Sequence, residues 1–186
     1  MRQTAALRHP LAALCTGKDA MERNTTAMAP MCNVSTDKEA FPMYVEANRA
    51  IARYVAEAVW NQGRLEVIDE VFAPGFINHD PSAHQVRNAK ALKRWIERLR
   101  TAFPDMRMTI EDLIAERDRV AVRWSWTGTH TGFYGSIPPS YNAVTLYGVT
   151  IERFVEGKIA EAWWSYDGSA MLLQIGAFPM AMEVGR

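Results

Sequence analysis

Asp118-Arg119-Val120-Ala121-Val122-Arg123-Trp124-Ser125-Trp126-Thr127-Gly128-Thr129-His130 alternates side-chain character at every step. Val120, Val122, Trp124 and Trp126 fall on one parity; Ala121, Arg123, Ser125 and Thr127 fall on the other. A period of two is the signature of a strand with one dry face and one wet face. Upstream, after Pro104, Met106, Met108 and Ile110 alternate with Arg107, Thr109 and Glu111. Downstream, two further strands fit Ala143 to Val155 and Lys158 to Ser165, joined by a tight Glu156-Gly157 turn.

The residues before Pro104 obey a different rule. Val45, Ile51, Tyr54, Val55, Ala58 and Val59 form a helical stripe that ends at Asn61-Gln62-Gly63, and a possible Thr36-x-x-Glu39 capping box precedes it. A short helix is expected over Leu65 to Phe72, closed by Pro74-Gly75, and a short strand over Phe76 to His79. Asn88 is a good N-cap for a third helix that Pro104 stops, and a last short helix spans roughly Ser169 to Ile175. Helices first and antiparallel strands afterwards predict an α+β domain, its twisted antiparallel sheet curling around the N-terminal helices to enclose a pocket.

The 186 residues suffice for one domain, placed at 41–180, with residues 1–40 as an extension lacking any sustained period and expected to be poorly ordered. Charge is balanced at 21 basic and 21 acidic residues, so no global field draws in nucleic acid or an anionic membrane. Lys90, Lys93, Arg94, Arg98 and Arg100 read as the wet face of the third helix. No stretch approaches the ~20 apolar residues of a membrane span. Cys15 and Cys32 could pair in an oxidising compartment or be incidental thiols of a cytoplasmic protein; the second is the reading adopted, with an organelle transit peptide as the alternative.

Four features could carry chemistry: His79, His130, Asp167 and the pair Trp163-Trp164. Glu161, Trp163 and Ser165 share parity on the last strand, with Asp167 in register beyond them. His130 shares parity with Trp124 and Trp126. A histidine and a carboxylate at the edge of an aromatic face suit proton transfer, because burial lifts a carboxylate toward neutral pH and an imidazole can accept, donate or polarise. Each has a plainer reading: His130 as a structural hydrogen-bonder, Asp167 as a helix cap, Glu161 as the partner of Arg123 or Arg153, the tryptophans as core. Phosphate loops, nucleophile elbows and His-Glu-x-x-His metal motifs are absent. Acid–base chemistry without a cofactor or metal is the expectation that remains.

Several segments together resemble the SnoaL-like polyketide cyclase (ester cyclase) family. They are Phe76-Ile77-Asn78-His79-Asp80-Pro81, Ala102-Phe103-Pro104-Asp105, Asp118 to Trp124, Gly128-Thr129-His130-Thr131-Gly132, Ile137-Pro138-Pro139, and Gly157 to Trp163 leading to Asp167. The resemblance spans about Ala47 to Gly176 and implies the cone of nuclear transport factor 2 and ketosteroid isomerase (the cystatin-like fold), commonly a homodimer through its sheet. It implies ring closure by intramolecular aldol condensation, without a cofactor, on a polyketide-like or β-dicarbonyl compound. Asp167 would then be the acid/base, and His79 and His130 would hold the enolate oxygens. Trp60, Asn78, Trp124, Glu161 and Trp163 complete the implied substrate-contacting set. Tyr141-Asn142 stands where the family usually has a Gly-Arg or Gly-Lys turn, and Ala162 where it often has His. The alternative is a non-catalytic binder of a small apolar ligand on the same fold.

Overall fold

A computed structural model of the chain describes residues 37–80 and 83–177. Residues 1–36, which carry Cys15, Cys32, Thr36 and nearly all of the expected extension, lie outside the described part.

The first helix, α1 (Asp37–Tyr54), runs without interruption into a π-helical segment, Val55–Asn61. The segment's inward face carries Val55, Ala56, Ala58 and Val59, all buried. Asn61 then stitches the helix end to the sheet. Its Nδ2 donates to Met108 O at 3.0 Å and its Oδ1 accepts from Met108 N at 2.7 Å. The short α2 (Val67–Val71) follows and is tighter than expected, because Phe72 already belongs to β1 (Phe72–Asn78).

In α3 (Ala89–Ala102), Asn88 accepts the Ala91 N–H as the sequence predicts, and the helix buries Ala91, Leu92, Ile96, Leu99 and Ala102 on one face. Four long strands follow: β2 (Arg107–Glu116), β3 (Arg119–Thr129), β4 (Ala143–Val155) and β5 (Lys158–Tyr166). The chain then enters α4 (Gly168–Gln174). The five strands make one curved sheet in the order β1-β5-β4-β3-β2. All neighbours are antiparallel except β1, which runs parallel to β5 and corrects the wholly antiparallel expectation. The parallel pairing follows from connectivity, since β1 is separated from β5 by α3 and three strands rather than by a hairpin.

Two irregularities re-aim the sheet. In β2 the pairing with β3 slips between Ile110 and Asp112. In β5, Ile159 faces Phe154 but Glu161 faces Arg153, so Ala160 is an extra residue. A bulge of one residue exchanges the two faces of everything beyond it. The buried or half-buried inward set of β5 is therefore Ile159, then Ala162, Trp164 and Tyr166. The continuous alternation Ile159, Glu161, Trp163 and Ser165 does not describe that face.

The Gly-Thr-His-Thr-Gly turn closes the end of α3. Both Thr131 N and Gly132 N donate to Ala102 O at 3.0 Å, giving a terminal helix carbonyl two partners. The approach leaves no room for a side chain, because a Cβ on Gly132 would sit 2.0 Å from Thr101 O. Gly132→Ala is expected to destabilise the fold by about 1–3 kcal/mol, as overpacking against backbone does. Gly75→Ala, which meets open space, serves as the control in urea denaturation.

Candidate active site

The inner faces of β3, β4 and β5 carry Trp124 and Trp126, Leu146, Thr150 and Glu152, and Ala162, Trp164 and Tyr166. Against them lie Val55, Ala56, Val59 and Trp60 of the π-helical segment, and Leu92, Trp95, Ile96 and Leu99 of α3. Between the two layers is a cavity of ≈ 90 Å³, counted as space open to the centre of a water molecule. At about 10–15 Å³ per water on that measure, it has room for roughly six to nine waters, the volume of a small bicyclic molecule. Three tryptophans form one wall. Trp95 stacks on Trp164 at 5.4 Å, and Trp60 meets Trp95 edge-on at 5.7 Å and Trp164 at 6.5 Å. Such a surface binds flat apolar ligands.

One carboxyl group breaks this apolar lining. Glu152 is 8% exposed, and its Oε2 is buried with no hydrogen-bond partner. Burial pushes its carboxyl up to about 7, since nothing nearby compensates the charged form. Two residues earlier, Thr150 Oγ1 accepts a hydrogen bond from Trp124 Nε1 at 3.0 Å. Tyr134, also in the lining, has its phenol pushed up by burial and stays protonated at neutral pH.

The residues singled out from the sequence divide between this cavity and other places. Trp60 and Trp124 line it. His79, His130 and Asp167 do not border it, nor do Asn78, Glu161 and Trp163. His79 lies at the end of β1, its Nε2 2.8 Å from Glu161 Oε2 and its ring stacked on Trp163 at 4.6 Å. Arg153 also bonds Glu161, its Nε at 2.9 Å, and Arg119 lies over the Trp163 ring at 5.4 Å. These contacts form a polar cluster on the sheet's other face, in which Arg153 first and then His79 hold the Glu161 carboxyl below its usual range. The bulge at Ala160 is the reason Trp163 and Glu161 are there and Trp164 is inside. Arg123, the other partner considered for Glu161, pairs instead with Asp112.

His130 is wholly buried beyond the end of β3, tilted against Phe103 at 5.2 Å. Ser140 N donates to its Nδ1 at 3.2 Å, so the ring proton sits on Nε2, which has no partner; burial lowers its pKa and keeps it neutral. Asn78 is buried with Oδ1 accepting from Asp80 N at 3.2 Å and Nδ2 unpartnered. Asp167 is exposed and is the N-cap of α4, its Oδ1 accepting from Ala170 N at 3.0 Å. Glu152 went unnoticed in the sequence although a signal was present. It shares parity with Val144, Leu146 and Phe154, all buried, so an acidic residue stands at an inward position of β4.

Tyr141 takes φ 62°, the left-handed conformation that glycine adopts without cost. Among the described residues no group of three or more His, Cys, Asp or Glu could hold a metal ion. No described helix is long and apolar enough to cross a membrane.

The model of the SnoaL-like polyketide cyclase family matches residues 50–175. The chain belongs to that family. Solved structures agree with this SnoaL-like assignment. AclR of Streptomyces galilaeus, a proposed hydroxylase, is 27% identical with a TM-score of 0.65, covering 73% of this chain and 99% of that one. A proposed SnoaL-like polyketide cyclase of Jannaschia sp. CCS1 is 25% identical at TM-score 0.66, covering 73% and 96%. IdmH of Streptomyces antibioticus, a proposed polyketide cyclase, is 28% identical at TM-score 0.62, covering 69% and 98%. A comparison with curated protein sequences finds no match.

The raised Glu152 pKa has a sign in stability. The folded SnoaL-like chain holds this proton up to about pH 7, whereas the group ordinarily releases it near 4.5. The folded state therefore binds more protons between those values, and stability is lost as pH rises through the window, by on the order of 3 kcal/mol. Glu152→Gln removes that slope. Denaturant midpoints at pH 5 and pH 7.5 are expected to show the variant gaining on the wild type at the higher pH.

Proposed function

We propose that this chain is a cofactor-independent cyclase-type enzyme that moves a proton on a small, mostly apolar carbonyl compound, with Glu152 as the acid–base group. The reading is supported above all by one observation: an unpartnered carboxyl inside a cavity otherwise lined mainly by aromatic and aliphatic side chains. A base with a pKa near the operating pH balances availability against strength, and a positioned one contributes ~10²–10⁴-fold to rate. Glu152, when ionised, takes a proton from the carbon between two carbonyls. The enolate carbon attacks a third, more distant carbonyl of the same molecule, forming the ring C–C bond, and Glu152 returns the proton to the new alkoxide. Atoms balance without a redox partner.

The family resemblance points to Asp167 for the same role, and the two assignments separate in one experiment. Turnover is followed by product formation and by deuterium wash-in on a panel of β-dicarbonyl polyketide-like esters. Glu152→Gln is expected to lose activity by ~10²–10⁴-fold. Asp167→Asn, which caps a helix as well as Asp does, is expected to retain it. Full turnover in Glu152→Gln overturns the assignment.

The same chain is proposed to act as a homodimer through the outer face of its sheet. Tyr147, Val149 and Ile151 project there from β4 at 68%, 40% and 38% exposure, beside Trp163. Sedimentation velocity is expected to give a dimer for the wild type and a monomer for Val149→Lys.

A further inference from the structure

Gly148 is the cross-strand partner of Trp124. A Cβ at Gly148 would stand 2.4 Å from Trp124 Cζ2 and 2.6 Å from Cη2, so the indole lies directly on bare backbone. That placement carries Nε1–H to Thr150 Oγ1, two residues further along β4. The consequence is directional. A hydroxyl has one hydrogen to give and two lone pairs; the Trp124 indole N–H takes one lone pair of Thr150 and leaves its hydrogen to be given. Among the described residues no acceptor takes the Thr150 hydrogen. Thr150 faces the cavity, as does Glu152. Their Cα atoms are about 6.6 Å apart along the strand.

We infer that Gly148 and Trp124 orient the Thr150 hydroxyl as the hydrogen-bond donor for a substrate carbonyl oxygen, beside the carboxyl of Glu152. This rests on the acid–base reading above and adds to it a specificity residue, Thr150, and a positioning residue, Trp124. The recognised class is a flat, fused-ring or comparably compact ketone with a hydrogen on the carbon next to the carbonyl. The ring system packs against Trp60, Trp95 and Trp164, the oxygen sits on Thr150, and the C–H is turned to Glu152. As negative charge gathers on that oxygen during proton removal, a donor already held in place strengthens its bond without reorganising.

The test uses 1-tetralone, labelled with carbon-13 at the carbonyl, and tetralin, which has the same ring system and no oxygen. Wild-type protein is expected to bind both, with the tetralone C=O stretch shifted to lower frequency than in an apolar solvent. Thr150→Val, equal in shape, is expected to abolish the shift and weaken tetralone about tenfold while leaving tetralin unchanged. Thr150→Ser restores both the shift and the affinity. Trp124→Phe keeps a ring but removes the N–H; it is expected to reduce the shift and leave tetralin binding in place.

The inference is overturned by an unshifted carbonyl in the wild type, by equal losses of tetralone and tetralin in Thr150→Val, or by failure of the wild type to bind either. A wild-type shift in Trp124→Phe overturns the positioning role of the indole. Failure of Glu152 as the base leaves the carbonyl shift intact, so the two proposals fail separately.

Discussion

The single extra residue at Ala160 is the constraint on which the cavity depends. Ile159 packs inward opposite Phe154, and then the register advances by one so that Glu161 meets Arg153. From that point Ala162, Trp164 and Tyr166 face the helices, while Glu161 and Trp163 face away. Without the bulge, Glu161 would enter an apolar interior and lose Arg153 and His79 as partners, a costly exchange for a carboxylate. With it, the charge remains in a half-exposed cluster and the small Ala162 opens space opposite Glu152, its cross-strand neighbour. The tryptophan wall and the room beside the carboxyl thus follow from one irregularity.

Glu152 is a place where the domain works against its own stability. An inward acidic group with no partner costs free energy whenever it is ionised, and among the described residues nothing bonds its Oε2. A core optimised for stability alone would hold Leu or Met there. Local violations of this kind gather where chemistry is done, and the surrounding order limits the damage. Asn61 clamps the π-helical segment to β2, and Trp124 is seated on Gly148. The site therefore rests on strands and helices rather than on loops, which keeps a lone polar group aimed.

His79, His130 and Asp167 match a family's motifs, and each bonds a neighbour outside the lining of the cavity. Asp167 is followed by Gly168 and Ser169, and its side chain bonds the Ala170 N–H as an N-cap would. His130 receives the Ser140 amide and plugs the space beside Phe103. His79 joins the outer cluster because β1 runs beside β5 at the sheet edge, placing it next to Glu161. Each position is set by register, and register is a pairing between strands distant in sequence.

Local chemistry was readable residue by residue. Strict alternation marked β2 and β3, Asn88 and Asp167 marked helix starts, Glu156-Gly157 marked the hairpin, and a sustained run of motifs marked the family. These signals depend only on near neighbours, so the chain carries them whatever its tertiary arrangement. Which face of β5 looks inward, the parallel partnership of β1, and the solitude of Glu152 could not be read that way. They depend on one unpaired residue in a ladder and on what lies across a cavity, and both exist only once distant strands have met.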